Sequence, residues 1–418
     1  MSLFAPEVWP FSLDLLPVGS CLVGGSVRDR LLNRQPAYLD LDFVVPERSL
    51  ETAQAIAQTY GAGFVVLDAP RQIARVVFDQ VTVDFAQQQG ESLEADLRRR
   101  DFTINAIAYY PHQRSIFDPL GGQADLASNT LRMVSDENLR ADPLRLMRAY
   151  RQAAQLGFKL TPDTRSAIYQ LAPNLQQVSI ERVHSELDAL LSVPFNASRH
   201  ALLQDLQQSQ LLQFCLPHFT ADSAAQVLAI DGALSQLQQT LPDYAQSLQG
   251  WHKPVPAGFH RSWIKAAKLS RLLCPKGAIA QAELDALKYS RSETQVLLTL
   301  LKMQDDIEAM QQGLLGQSQQ FFLFKRAGES FPALSLLALS QGVALAVLLP
   351  LIERFLDADD AIAHSRTLVD GNVLIEQLGM KAGPAIGAAL RAVERAQAAG
   401  EIGSKEEAIA WILNHHSH

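Results

Sequence analysis

The chain of 418 residues is 48% hydrophobic and 19% charged, with 44 acidic against 36 basic side chains and a net charge of −8. These proportions belong to folded globular domains and exclude a low-complexity or disordered chain, and the length suggests about two to four domains. The acidic balance speaks against a surface that binds nucleic acid all over, and no apolar stretch reaches the ~20 residues needed to cross a bilayer.

The opening MSLFAPEVWPFSLDLLPVG has no basic start and no small-residue cleavage site, so no signal peptide and a cytoplasmic location are expected. Cys21, Cys215 and Cys274 lack the spacing of a disulfide framework or a zinc site and read as core thiols.

In chain order, LVGGSVRDRLL comes first. Gly24 and Gly25 would let backbone N–H groups approach a phosphate at the start of a helix, and Arg28 adds a positive charge there. Alone, a Gly-Gly pair is more often a plain turn. LDLDFVV at residues 39–45 reads as a strand on which Asp40 and Asp42, two apart, share one face. Two such carboxylates suit Mg²⁺ clamped between themselves and phosphate oxygens; solvated acids on an edge strand are the bland alternative.

Ser49 to Tyr60 has helical spacing, and GFVVL, ARVVF and VTVDFA are β-branched runs. Asp84 in the last run is either a further carboxylate beside Asp40 and Asp42 or an acid capping the turn that follows. RRRDFTINA at 98–106 combines Arg100 for phosphate with Asp101 and Asn105 as hydrogen-bonding groups for a ribose or base. Its alternative is the start of an amphipathic helix capped by Asp101.

After about Asn138 the strand signals fade, and Leu, Ala and Gln recur at helical spacing with breaks near Pro194, Pro217, Pro254 to Gly258 and Pro275. ADPLRLMRAYR sets Asp142, Arg145, Arg148 and Arg151 at three-residue steps along one helical stripe, with Leu144, Met147 and Tyr150 on another face. An acid and an arginine one turn apart offer the acceptor and forked donor that would match a base edge, or simply an internal ion pair. Leu334 to Leu351 reads as buried helix, and Lys265, Lys268 and Arg271 read as a solvated helix face, with phosphate contact as the alternative. His415, His416 and His418 read as a disordered end.

Taken in this order, GGSVRD with LDLD, RRRDFTINA, FDPLGGQADL at 117–126, DPLRLMRAYR and SIERVHSEL at 179–187 resemble the motifs of the bacterial class II tRNA nucleotidyltransferase and poly(A) polymerase family. The resemblance implies an α+β fold: a polymerase-β-like head of small mixed sheet and helices over 1–137, then a helical neck over 138–195, body over 196–300 and tail over 301–418. It implies attack of an RNA 3′-hydroxyl on the α-phosphate of CTP or ATP, with pyrophosphate released and two Mg²⁺ ions held by Asp40 and Asp42. Gly25, Arg28 and Arg100 would contact triphosphate or ribose, with Gly24, Asp101 and Asn105 close by. Asp142 and Arg145 would read the base, and Arg148 and Arg151 would hold phosphate or orient that pair, with SIERVHSEL bracing it. The partner implied is tRNA, gripped on its acceptor and T arms.

Two departures stand out. Ala141 occupies a place where the family often carries Glu before the reading acid. The interval FAQQQGESLEADLR, residues 85–98, lacks the longer basic loop of complete CCA-adding members, which resembles members that add only the two cytidines. A CC-adding enzyme is therefore expected, with a full CCA-adding enzyme next, a poly(A) polymerase third, and a catalytically dead RNA-binding protein as the reading from another class.

Overall fold

The computed structural model describes residues 6–34, 39–79, 81–194, 197–251 and 261–415. The Pro254 to Gly258 break and His416 and His418 lie outside them. The chain divides into two compact units, Met1–Leu190 with Gln208–Leu211, and Leu191–Gln207 with Leu212–His418.

The first unit opens with β1 (Cys21–Val23), α1 (Gly25–Leu31), β2 (Leu39–Val45) and α2 (Ser49–Tyr60). The three β-branched runs are strands, β3 (Gly63–Asp68), β4 (Ile73–Val77) and β5 (Val81–Gln87). Next come α3 (Leu93–Leu97), β6 (Ala108–Tyr110), β7 (Ser115–Phe117), α4 (Gly122–Ala127) and β8 (Thr130–Leu131). The unit continues with α5 (Asp136–Ala141), α6 (Leu144–Leu156), β9 (Lys159–Leu160), α7 (Pro162–Leu171) and α8 (Ile180–Leu191), the last ending at its edge. The pair β8–β9 is parallel, so strand character extends slightly past Asn138.

β1 to β7 form one mixed sheet in the order β3-β4-β5-β2-β1-β6-β7, with β2 and β5 parallel at its centre. Alternation decides the two faces. Leu41, Phe43, Ala74, Val76, Val83 and Phe85 are fully buried, as are Ala53 and Ile56 of α2 on that side. Phe43 and Phe85 stack with centroids 5.6 Å apart, and Trp9 and Phe11 close over Phe43. Each such aromatic stabilises the fold by roughly 1.5–3 kcal/mol, and a one-residue slip of β2 would drive its aspartates into this core. The register therefore holds Asp40, Asp42, Thr82, Asp84 and Arg75 together on the opposite face.

The second unit is helical among its described residues. Helix Trp263–Ser270 is buried along its whole length, which corrects the solvated face expected of Lys265 and Lys268. Lys268 is fully buried; its Nζ meets Asp231 at 2.8 Å and donates to the carbonyls of Leu191 and Val193 at 3.1 and 2.8 Å. The aliphatic stem lets a lysine pass for core when its head is satisfied this fully. The apolar run 334–351 is two helices, Phe331–Ser340 and Leu345–Leu356, because the chain turns at Gly342 with φ +89°. His415 ends helix Lys405–His415 and stacks on Trp411. All three cysteines are buried and unbridged, and burial pushes the Cys21 thiol up to about 12.

Candidate active site

The site is built on the face of the sheet that the aromatic core leaves open. In parallel register, Asp40 lies opposite Thr82 and Asp42 opposite Asp84. Thr82 Oγ1 donates to Asp40 Oδ1 at 2.6 Å, leaving the rest of that exposed carboxylate free. Asp42 receives no hydrogen bond among the described residues. Burial, then the charges of Asp40 and Asp84, push its carboxyl up to about 6. Negative charge among oxygen donors that Arg100 and Arg75 offset only in part is the environment a hard divalent cation fits, the remaining ligands being left to phosphate and water. Asp84 is mid-strand, not a turn cap, and it binds Arg75 of β4 through two bonds, Nε to Oδ1 at 2.7 Å and Nη2 to Oδ2 at 2.8 Å.

Gly24 leads into α1 at φ +74°, ψ −143°, which an L side chain rarely adopts. A Cβ there would sit 3.3 Å from both Arg100 Nη1 and Asp42 Oδ2, so the glycine lets guanidinium and carboxylate flank the turn. Gly25 is the first residue of α1, and Arg28, one turn on, binds Asp29 and donates to Asn105 Oδ1 at 2.9 Å. Arg100 lies 3.6 Å from Asp96 of α3, and its buried Nε has no hydrogen-bond partner among the described residues.

RRRDFTINA is an irregular segment closed by a 3-10 turn at Thr103–Asn105, whose cap is Phe102, so Asp101 is not a helix cap. Asp101 accepts from Phe102 N, Asn105 Nδ2 and Arg148 Nη1 at 2.8, 2.9 and 3.2 Å. Burial alone would push its carboxyl up; Arg148 and the bonds from Asn105 and Phe102 outweigh it and hold it below the usual carboxylate range. Asn105 also reaches Gln152 of α6 at 3.0 Å. The segment is seated by Gly122, where a Cβ would lie 2.3 Å from the Thr103 carbonyl oxygen.

Helix α6 begins at Leu144, so Asp142 stands just before it, at the C-cap of α5. Arg145, Arg148 and Arg151 follow on the helix while Leu144, Met147 and Tyr150 are buried. Asp142 pairs with Arg182 of α8 rather than with Arg145. Arg145 donates to the Asn138 carbonyl at 3.0 Å, and its buried Nε has no hydrogen-bond partner among the described residues. Glu186, also on α8, takes Arg148 Nε at 3.4 Å and Arg151 Nε at 2.5 Å.

The structure thus brings Gly24, Asp40, Asp42, Asp84 and Arg100 together, links Arg28 to Asp101 through Asn105, and joins Asp101 directly to Arg148, which Glu186 ties to Arg151. Arg75, Thr82, Asn138, Gln152, Arg182 and Glu186 were not singled out from the sequence. Arg182 and Glu186 lie inside SIERVHSEL, whose spacing marks a helix but not its partners. Arg75 alternates in phase with the outward face of β4, yet its pairing with Asp84 depends on register.

A family model described as the poly(A) polymerase head domain matches residues 20–132, one described as a probable RNA and SrmB-binding site of polymerase A matches 157–223, and one described as putative tRNA nucleotidyltransferase domain 2 matches 265–412. A CC-adding tRNA nucleotidyltransferase of Synechocystis sp. is 42% identical over 96% of this chain and 95% of its own. An A-adding tRNA nucleotidyltransferase of Deinococcus radiodurans is 34% identical over 97% and 96%. The crystal structure of the Bacillus stearothermophilus CCA-adding enzyme in complex with CTP superposes with TM-score 0.70 at 27% identity, over 95% of this chain and 93% of that one. The mixed sheet, the glycine-led turn and Asp40 and Asp42 all fall within the residues that the head-domain model matches. The chain belongs to the bacterial class II tRNA nucleotidyltransferase and poly(A) polymerase family.

Proposed function

We propose that the protein is a CC-adding tRNA nucleotidyltransferase, extending the tRNA 3′ end with cytidines from CTP and releasing pyrophosphate. One observation carries the choice of CC. Between β5 and α3 only residues 88–92 intervene, and they are tied down: Gln88 N to the Val45 carbonyl at 2.8 Å, Gln89 N to Asp96 Oδ1 at 2.9 Å, and Ser92 capping α3 through Ala95 N at 3.2 Å. That short connection leaves no long mobile loop to re-equip the site for ATP. The 42% identical CC-adding relative supports the same reading.

In this reading Asp40 and Asp42 hold Mg²⁺. Bound there, one Mg²⁺ would lower the pKa of the attacking hydroxyl and a second would offset charge on the leaving pyrophosphate. Gly24, Gly25, Arg28 and Arg100 receive the triphosphate, and Asp101 and Asn105 set the ribose end of the site. Asp142 accepts from the cytosine amino group while Arg145 donates to its ring acceptors, so the protein supplies the template. Arg148 and Arg151 orient that pair through Asp101 and Glu186. The sheet unit serves as head and neck, and the later helices as body and tail that hold tRNA by shape, as suits a duplex whose major groove is too narrow to read. The site of action is the cytoplasm.

The A-adding relative makes A addition the second reading. The test is incorporation into two transcripts, one lacking CCA and one ending in CC, with CTP and ATP supplied separately. Two cytidines on the first and no adenosine on the second are expected. Efficient adenosine addition after CC would overturn the CC reading, and long adenosine tails would indicate a poly(A) polymerase.

A further inference from the structure

Three residues from three neighbouring strands stand in one row across the open face of the sheet: Arg75 pairs in register with Asp84, and Asp84 with Asp42. Adjacent strands lie ~4.8 Å apart, so Asp84 is placed beside Asp42 as a natural third carboxylate for any cation that Asp40 and Asp42 hold. Its oxygens are nevertheless both taken. Arg75 engages them with Nε and Nη2 at 2.7 and 2.8 Å, the forked geometry in which a guanidinium matches a carboxylate best. Asp40 gives a single oxygen to Thr82. Among the described residues no group of three or more His, Cys, Asp or Glu side chains is disposed to hold a metal ion, although three aspartates share this face.

We propose that Arg75 is a positioning residue that keeps Asp84 out of the metal's ligand set, so that the site offers two carboxylates and captures its divalent cation together with the nucleotide's phosphates. The inference rests on Asp40 and Asp42 being the metal pair. The pair is partly exposed, 38% at Arg75 and 19% at Asp84, and contributes at most about 1 kcal/mol to folding. What the pair does change is the donor set. A hard cation wants six or more oxygens and gains affinity with each anionic ligand, so withholding one carboxylate weakens binding to the nucleotide-free protein and leaves room for phosphate oxygens.

The experiment is Mn²⁺ titration of the full-length protein without nucleotide or RNA, free Mn²⁺ being read by electron paramagnetic resonance. Arg75→Ala, and Arg75→Gln as a second route to the same loss, should tighten Mn²⁺ binding about tenfold as Asp84 joins the ligands. Arg75→Lys should fall between, since a point donor frees one oxygen. Asp84→Asn alone should change affinity by less than about twofold, and in the Arg75→Ala background it should cancel the gain. Unchanged Mn²⁺ affinity in Arg75→Ala and Arg75→Gln, while Asp40→Asn still weakens binding, overturns the role of Arg75 alone. The same holds if Asp84→Asn weakens binding as much as Asp40→Asn. Indifference to both Asp40→Asn and Asp42→Asn overturns the metal pair itself, and this inference with it.

Discussion

Arg182 Nη2 reaches both carboxylate oxygens of Asp142, at 3.1 and 3.3 Å, so α8 holds the acid proposed to read the base. Half of the Arg182 side chain is exposed. Arg145, its partner in reading, is tied to the backbone of α5 instead.

Replacing Arg182 with alanine should raise KM for CTP about two- to fivefold with little change in kcat, the scale of one exposed ion pair. Lysine at that position should recover part of the loss. Steady-state kinetics with CTP, together with misincorporation of UTP, checks this.

Asp42→Asn should abolish addition and at the same time stabilise the nucleotide-free protein. In the folded state the Asp42 carboxyl is raised from the ordinary 3.8 to about 6 by burial and by Asp40 and Asp84. A raised carboxyl favours folding only while protonated, so its penalty grows as pH rises from about 4 to about 6 and is complete above that. Melting in the presence of a chelator should show Asp42→Asn above wild type by a few °C near neutral pH, converging with it at acid pH.

Gly24→Ala should leave a folded protein, at a cost of about 1–3 kcal/mol for the backbone conformation, but lower kcat/KM about a hundredfold. The added methyl would press on Arg100 and Asp42, each 3.3 Å away. Parallel melting and CTP incorporation assays separate the two effects.

Lys268→Met should destabilise the second unit by about 3–5 kcal/mol, because buried Asp231 would lose the ammonium that meets it at 2.8 Å. The double variant Lys268→Met with Asp231→Leu should regain much of that loss. Urea denaturation followed by circular dichroism measures both.

Much of the first unit was legible because strand alternation is a local property. LDLDFVV, GFVVL, ARVVF and VTVDFA are β2 to β5, and Ser49–Tyr60 is α2 with the bounds its pattern suggested. Lys268 failed the same logic, since three-residue spacing marks a helix face without saying what covers it. Leu334 to Leu351 is helical as its apolar run suggests, but divided where Gly342 breaks that run.

Sequence by itself determined the chemistry available: paired carboxylates two apart, glycines ahead of an arginine, and an Arg-Asp-Asn segment, all set by residue identity and a two-residue or helical period. Only the tertiary structure decided who meets whom. Asp84 faces Asp42 because β2 and β5 run parallel in one register, Arg75 closes on Asp84 because β4 pairs beyond it, and Asp142 turns to Arg182 because α8 packs near the turn before α6. Those pairings span 9 residues for Arg75 and Asp84 and 40 for Asp142 and Arg182, and Asp42 and Asp84 lie farther apart still. No local period encodes such separations; the buried aromatic face and the packing of the helices do.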